Sequence, residues 1–393
     1  MINPNFEKLE NNYLFADIAR RVHDFKSENP ESVLISMGIG DVTLPLAPAV
    51  VKALESASRE QGEQGSFHGY GPYEGYDFLR ETISARYAGR GISLSADEIF
   101  VGDGAKNDLG SVLSIFSSGA HVVIPDPVYP AYLDSNVLAG NDITFVSGCA
   151  ANKYLPDPPD YAADLAYICS PNNPTGAVYD REGLGRWVHW ANGCGAVLLF
   201  DAAYEGFVRN TFYPRSIFEI DGARRCAIEF CSLSKTAGFT GTRCGWTVFP
   251  FELKRDGISL RELWSRRLAV SYNGCSYVIQ RGAAAALCGE GEAQSAHNVS
   301  CYLENARVIA AALSDAGISF VGGENSPYIW FECPQHLGSW ETFELLLSRA
   351  HVVCTPGAGF GVSGEGRCRL SAFGRADSTS LGAARVHDTL LAL

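Results

Sequence analysis

The stretch "CAIEFCSLSKTAGFTGTRCGW", Cys226–Trp246, begins with an apolar run and ends among glycines and an arginine. Cys226–Cys231 reads as a buried strand. One lysine, Lys235, follows it behind Ser232 and Ser234, and Arg243 lies eight residues further on. A solvated surface lysine is the ordinary reading of the residue type. A lysine set at the end of a buried strand invites another. Desolvation and a neighbouring cation both favour the neutral amine, which is nucleophilic near neutral pH.

Working outward, short apolar runs alternate with helical patterns. Glu98–Val101, His121–Ile124, Ile143–Val146, Leu165–Cys169, Ala196–Phe200 and Ala227–Cys231 read as strands, rich in Val, Ile, Leu and Phe with little alternation. That texture suits strands covered on both faces. Lys106–Phe116 and Arg181–Ala191 read as helices between them, which predicts a doubly wound α/β sheet, mostly parallel, with helices on both faces. Cys244–Phe249 reads as a further, antiparallel strand. Beyond about residue 275 the texture changes. A long helical run, Tyr277–Leu313, breaks near Cys288–Gly291. Ile318–Val321, Tyr328–Glu332 and Arg367–Ser371 read as strands and Trp340–Ala350 as a helix. The expected organisation is a large α/β domain over 48–275 and a smaller α+β domain made of 1–47 and 276–393.

Composition narrows the function. A net charge of −13 over 393 residues repels nucleic acid and anionic lipid. The twelve cysteines are scattered with no CxxC pair, so neither zinc nor dithiol redox chemistry is expected. No apolar run approaches a membrane span. The first residues lack the basic and apolar regions of a signal peptide, so the cytoplasm is the expected location.

Ligands of an open parallel sheet gather at the carboxyl ends of its strands. After Glu98–Val101 comes Gly102-Asp-Gly-Ala-Lys106; after Leu165–Cys169, "SPNNPTG"; after Ala196–Phe200, Asp201 and Tyr204; after Ala227–Cys231, Lys235. Singly, each has a plain structural reading: a β–α turn, a proline turn, a helix cap. Together they converge on one rim. Serines, a helix start and an arginine make a phosphate cradle. An aspartate suits a protonated ring nitrogen, and an activated lysine suits an aldehyde. Pyridoxal 5′-phosphate carries all three groups.

Lys235, Asp201, Asn173 and Arg243 resemble, in order and spacing, the signature of fold type I pyridoxal-phosphate enzymes of the aspartate aminotransferase superfamily, class I/II. "GYGPYEGY" (Gly69–Tyr76), "GDGAKNDL" (Gly102–Leu109), "DPVYPAYLD" (Asp126–Asp134), "FDAAYEGF" (Phe200–Phe207) and "SYNGCS" (Ser271–Ser276) make the resemblance closer to the LL-diaminopimelate aminotransferase branch.

The resemblance implies roles. Lys235 binds the aldehyde and shuttles a proton, Asp201 pairs with the ring nitrogen, and Asn173 and Tyr204 meet the phenolic oxygen; Lys235, Asp201 and Tyr204 are the expected catalytic set. Tyr129 stacks on the ring. Ala105, Lys106, Ser232, Ser234 and Arg243 hold the phosphate. Tyr70 reaches the phosphate from a second subunit, which implies a homodimer, and Asn273 completes the cofactor set. Arg369 takes the substrate α-carboxylate, with Arg367 and Arg375 as alternatives. Tyr13, Gly40, Lys106, Tyr129, Asn173 and Asn273 line the substrate pocket.

Between Gly71 and Gly75 the branch carries an acidic residue that reaches the substrate's distal end. Here Pro72-Tyr73-Glu74 shifts that residue by one position. Leu233 and Cys244 also depart, as packing variants. The implied reaction is transamination between LL-2,6-diaminopimelate and 2-oxoglutarate in lysine and cell-wall precursor synthesis. The alternatives are transamination of another L-amino acid, β-elimination on the same scaffold, or cofactor binding without turnover, whose cheapest sign would be a lost lysine. A Rossmann dehydrogenase lacks its GxGxxG.

Overall fold

A computed structural model of the chain describes residues 2–9 and 14–393. Among the described residues, the large sheet has seven strands. Their order is Ile99–Gly102, Gly245–Val248, Ala227–Ser232, Val197–Asp201, Leu165–Cys169, His121–Asp126 and Asp142–Ser147. Gly245–Val248 runs antiparallel to both of its neighbours, and the other pairings are parallel.

The strand chemistry explains the layers. Leu165, Tyr167, Val197, Leu199, Ile228 and Phe230 belong to the core on one side. Ala166, Ile168, Leu198, Phe200 and Ala227 belong to the core on the other, with Ile83 and Trp187. Both alternating sets are apolar because both faces are covered. The edge strand Asp142–Ser147 is only partly covered, and its Phe145 is exposed. Helix Arg181–Cys194 begins where the Asp180 carboxylate accepts the Gly183 N–H at 2.7 Å. It then buries Leu184, Trp187, Val188 and Ala191, one helical face, against the sheet.

A second, four-stranded antiparallel sheet runs Phe320–Gly322, Tyr328–Glu332, Arg367–Ser371 and Thr355–Pro356. Trp330, Ile309, Leu313 and Val386 fill its core, and Leu14 and Ile18 join them from helix Leu14–Glu28. Ile35–Ser36 pairs in parallel with Val352–Val353, so early and late parts of the chain share this layer.

Several element limits differ from the sequence reading. The helix expected over Lys106–Phe116 is Ala105–Ser111 followed by a 3₁₀ turn, Val112–Ile115. The long run divides into Tyr277–Ala286 and Gly289–Asp315, with its break at the expected place. Ser339–Leu345 continues as a π turn, Leu346–Ala350. Helix Leu260–Ser271 and the small hairpin Lys254–Arg255/Ile258–Ser259 were not foreseen.

Candidate active site

A cavity of about 420 Å³ opens at the carboxyl ends of Leu165–Cys169, Val197–Asp201 and Ala227–Ser232. Of the expected site residues, Gly40, Ala105, Lys106, Tyr129, Asn173, Asp201, Tyr204, Ser232, Ser234, Lys235, Arg243 and Arg369 line it.

Asp201 ends its strand only 6% exposed. Its carboxylate accepts the Tyr132 hydroxyl at 2.5 Å and the Ala203 N–H at 2.9 Å. Burial pushes its carboxyl above the ordinary range, against the pull of those two donors. Among the described residues it has no salt-bridge partner. A buried carboxylate in that condition calls for a cation.

Lys235 sits across the cavity, on the short helix Leu233–Thr236. Its ammonium donates to the Gly40 carbonyl and lies 5.5 Å from the centre of the Phe373 ring. Burial lowers its pKa to about 8; Asp41 works against that shift, and the Arg369 and Arg243 charges add to it. Half the amine is therefore neutral near that pH, as a nucleophile requires.

Beside it, the Arg243 guanidinium donates to the Ser234 hydroxyl at 2.9 Å, and the Ser232 hydroxyl accepts the Ser234 N–H at 3.1 Å. Arg243 holds a left-handed backbone conformation, φ 60°, at a cost of about 1–3 kcal/mol. Gly104 makes room for it. A Cβ there would lie 2.4 Å from the guanidinium, at φ +118°. The result is a cradle of two hydroxyls, one guanidinium and the first turn of Ala105–Ser111.

Arg369 is 1% exposed. It donates to the Asn173 side-chain carbonyl and to the Gly38 backbone carbonyl, each at 2.6 Å, between the rings of Tyr328 and Phe360. Its Nε is buried without a partner. The alternatives lie elsewhere: Arg367 pairs with Glu332 at 3.4 Å and Arg375 is exposed beside Asp377. Tyr204 and Tyr328 share a hydroxyl–hydroxyl bond of 2.8 Å. A side chain at Gly40 would strike the Tyr328 hydroxyl, at 2.5 Å.

Tyr70 and Asn273 do not line this cavity; Tyr70 is 91% exposed. The two stretches meet on the surface, where a Cβ on Gly274 would approach the Pro72 carbonyl to 2.8 Å. Glu74 does not line the cavity either; its backbone carbonyl accepts the Val101 N–H at 2.8 Å. Tyr13 lies outside the described residues. Tyr132, Tyr328 and Asp41 were missed. Only Tyr132 had a signal: it stands three residues after Tyr129, one helical turn away.

The model of the class I and II aminotransferases matches residues 32–381. The chain belongs to that family. Among its relatives, an LL-diaminopimelate aminotransferase of Agathobacter rectalis is 46% identical over 96% of this chain and 97% of its own. One of Desulfotalea psychrophila is 47% identical over 99% of both chains. The solved structure of the L,L-diaminopimelate aminotransferase of Chlamydomonas reinhardtii superposes with a TM-score of 0.94 at 37% identity, covering 99% of this chain and 98% of that one. Class I and II aminotransferases are in general pyridoxal-phosphate enzymes, and the α/β sheet described above is their fold. The site residues fit that cofactor. The buried Asp201 carboxylate suits a cationic partner, the Arg243–Ser234 cradle is cleared by Gly104, and burial lowers the Lys235 amine to a pKa of about 8.

Proposed function

We propose that this aminotransferase interconverts LL-2,6-diaminopimelate plus 2-oxoglutarate with tetrahydrodipicolinate, glutamate and water, using pyridoxal 5′-phosphate. The observation that carries the proposal is the meeting of Lys235, Asp201 and Arg369 in one cavity. The names of the two nearly full-length relatives and of the solved structure support the substrate.

Arg243, Ser232, Ser234 and the backbone of Ala105 and Lys106 would hold the phosphate. Asp201 would hold the ring nitrogen, Asn173 and Tyr204 the phenolic oxygen, and Tyr129 the ring face. When bound, the cofactor supplies an aldehyde for the substrate nitrogen and a ring that withdraws electrons from the substrate α-carbon. Lys235 Nζ would take up and release the substrate α-proton, a general acid/base task suited to an amine with a pKa of about 8. Tyr132 and Ala203 keep the Asp201 carboxylate aimed into the cavity. Arg369 offers a planar fork to the α-carboxylate.

The working form is a homodimer with shared sites, in which Tyr70 and Asn273 serve the neighbouring cavity. The exposure of Tyr70, Phe67 and Val270 supports this reading. The cytoplasm is the proposed location; the free state of all twelve cysteines supports it. The test supplies the cofactor-loaded protein with LL-diaminopimelate and 2-oxoglutarate. Glutamate should accumulate. Glutamate formed from other L-amino acids but not from diaminopimelate would keep the aminotransferase and overturn the substrate.

A further inference from the structure

A second cavity, of about 530 Å³, lies outside the active site, between the end of helix Asp77–Ala88 and the junction of helices Tyr277–Ala286 and Gly289–Asp315. Arg86, Arg90 and Arg215 line it, with Glu292, Cys288, the exposed Ala85 and the buried Leu287. Its volume falls within the range of small-molecule sites.

Three guanidiniums here answer to few carboxylates. Arg90 pairs with the buried Glu205 at 2.7 Å, and Arg86 reaches the same residue at 3.3 Å. Arg86 also bridges to the half-exposed Glu292. Arg215 pairs with no carboxylate among the described residues; its guanidinium donates to the Val208 carbonyl at 2.5 Å. The Arg86 Nε is buried without a partner. Burial pushes the Glu205 carboxyl up, yet Arg90, Arg86 and Arg215 together hold it below the ordinary range. Three guanidiniums face two carboxylates, Glu205 and Glu292, and Arg215 is the one without a salt-bridge partner among the described residues. The cavity therefore keeps one formal positive charge in excess, partly desolvated, in a chain whose net charge is −13. Retaining unpaired charge in such a place is costly, and a positively lined cleft concentrates anions.

We propose that this cavity binds a small oxyanionic metabolite, a phosphate monoester or a polycarboxylate, through Arg86, Arg90 and Arg215. Leu287 and Ala85 offer apolar contact to its carbon skeleton. Arg86 and Arg90 also pair with Glu205, the residue after Tyr204, so occupation is positioned to be felt in the active site.

Calorimetry of the cofactor-loaded protein with inorganic phosphate, and separately with citrate, tests this. Arg215→Gln is the main variant, since it breaks no ion pair. Arg369→Lys is the control for binding in the active site. Saturable binding that weakens at least tenfold in Arg215→Gln and persists in Arg369→Lys is the expected result. Preference for phosphate assigns the ligand to the phosphate esters, and preference for citrate assigns it to the polycarboxylates. No saturable binding of either probe, or binding lost in Arg369→Lys and kept in Arg215→Gln, overturns the proposal. If Arg215→Gln loses its cooperative melting transition, Arg215→Lys replaces it. That variant keeps the charge but not the fork, and unchanged affinity for both probes would again overturn the proposal.

Discussion

The Arg369 guanidinium and the Asn173 side-chain carbonyl meet at 2.6 Å across the gap between the two sheets. Arg369 comes from the small antiparallel sheet, and Asn173 from the turn that follows a central strand of the large one. The contact joins the expected α-carboxylate fork to the expected cofactor cup. Arg369→Lys keeps the charge but loses the fork, and leaves Asn173 or Gly38 short of a donor. We expect kcat/KM to fall by about two orders of magnitude, chiefly through KM, and the melting temperature to fall by a few degrees, since a buried acceptor left without a donor costs about 1–3 kcal/mol. Steady-state kinetics and a melting curve check it.

The Lys235 shift predicts a pH dependence. In the cofactor-free protein, amine labelling of Lys235 should rise with a midpoint near pH 8, well below the ordinary 10.5. Asp41 favours the charged amine, so Asp41→Asn should move the midpoint lower. Between about 8 and 10.5 the unfolded chain retains a proton that the native one has lost, so stability of the cofactor-free protein gains a contribution from Lys235 as pH rises through that window. Peptide-resolved labelling across pH measures the midpoint; a value near 10.5 would refute the argument.

Tyr132 donates to Asp201 and stacks on Tyr167 with ring centres 4.7 Å apart. Tyr132→Phe keeps the stacking and removes the donor. The Asp201 carboxyl should then rise further, so the acid limb of the activity profile moves to higher pH. We expect kcat to fall about tenfold, the scale of one hydrogen bond to a charged group. A pH–rate profile of the variant against wild type checks it, and an unmoved acid limb would contradict it.

Gly104→Ala places a methyl group 2.4 Å from the Arg243 guanidinium and strains a φ of +118°. Arg243 must withdraw from Ser234. We expect cofactor affinity to fall at least tenfold and the melting temperature by a few degrees, with backbone strain of about 1–2 kcal/mol. Equilibrium dialysis with pyridoxal phosphate reads the first effect and calorimetry the second.

Much of this site was legible because the sequence concentrates its chemistry at strand ends. Lys235, Asp201 and Asn173 each follow an apolar run that could only be a covered strand, so their common rim followed from topology alone. Tyr328 was hidden because it sits inside a strand, Tyr328–Glu332, where an aromatic residue is ordinary core. Asp41 lies in a segment without periodicity. The pairing of Ile35–Ser36 with Val352–Val353 was equally silent, since two-residue strands carry no pattern. Helix Leu260–Ser271 was missed because its buried stripe is only three residues, Leu260, Trp264 and Leu268, among charged neighbours.

The central claim is that Lys235 and its neighbours form a transaminating centre for diaminopimelate. The most direct test mixes the protein, loaded with pyridoxal phosphate, with LL-diaminopimelate in the absence of any oxo acid, and follows the absorbance of the bound cofactor. The account predicts conversion from the aldehyde-derived band to the amine-form band, strong with diaminopimelate, weak with other L-amino acids except glutamate, and absent in Lys235→Ala. A cofactor band that diaminopimelate leaves unchanged, or a conversion that persists in Lys235→Ala at the wild-type rate, would contradict it.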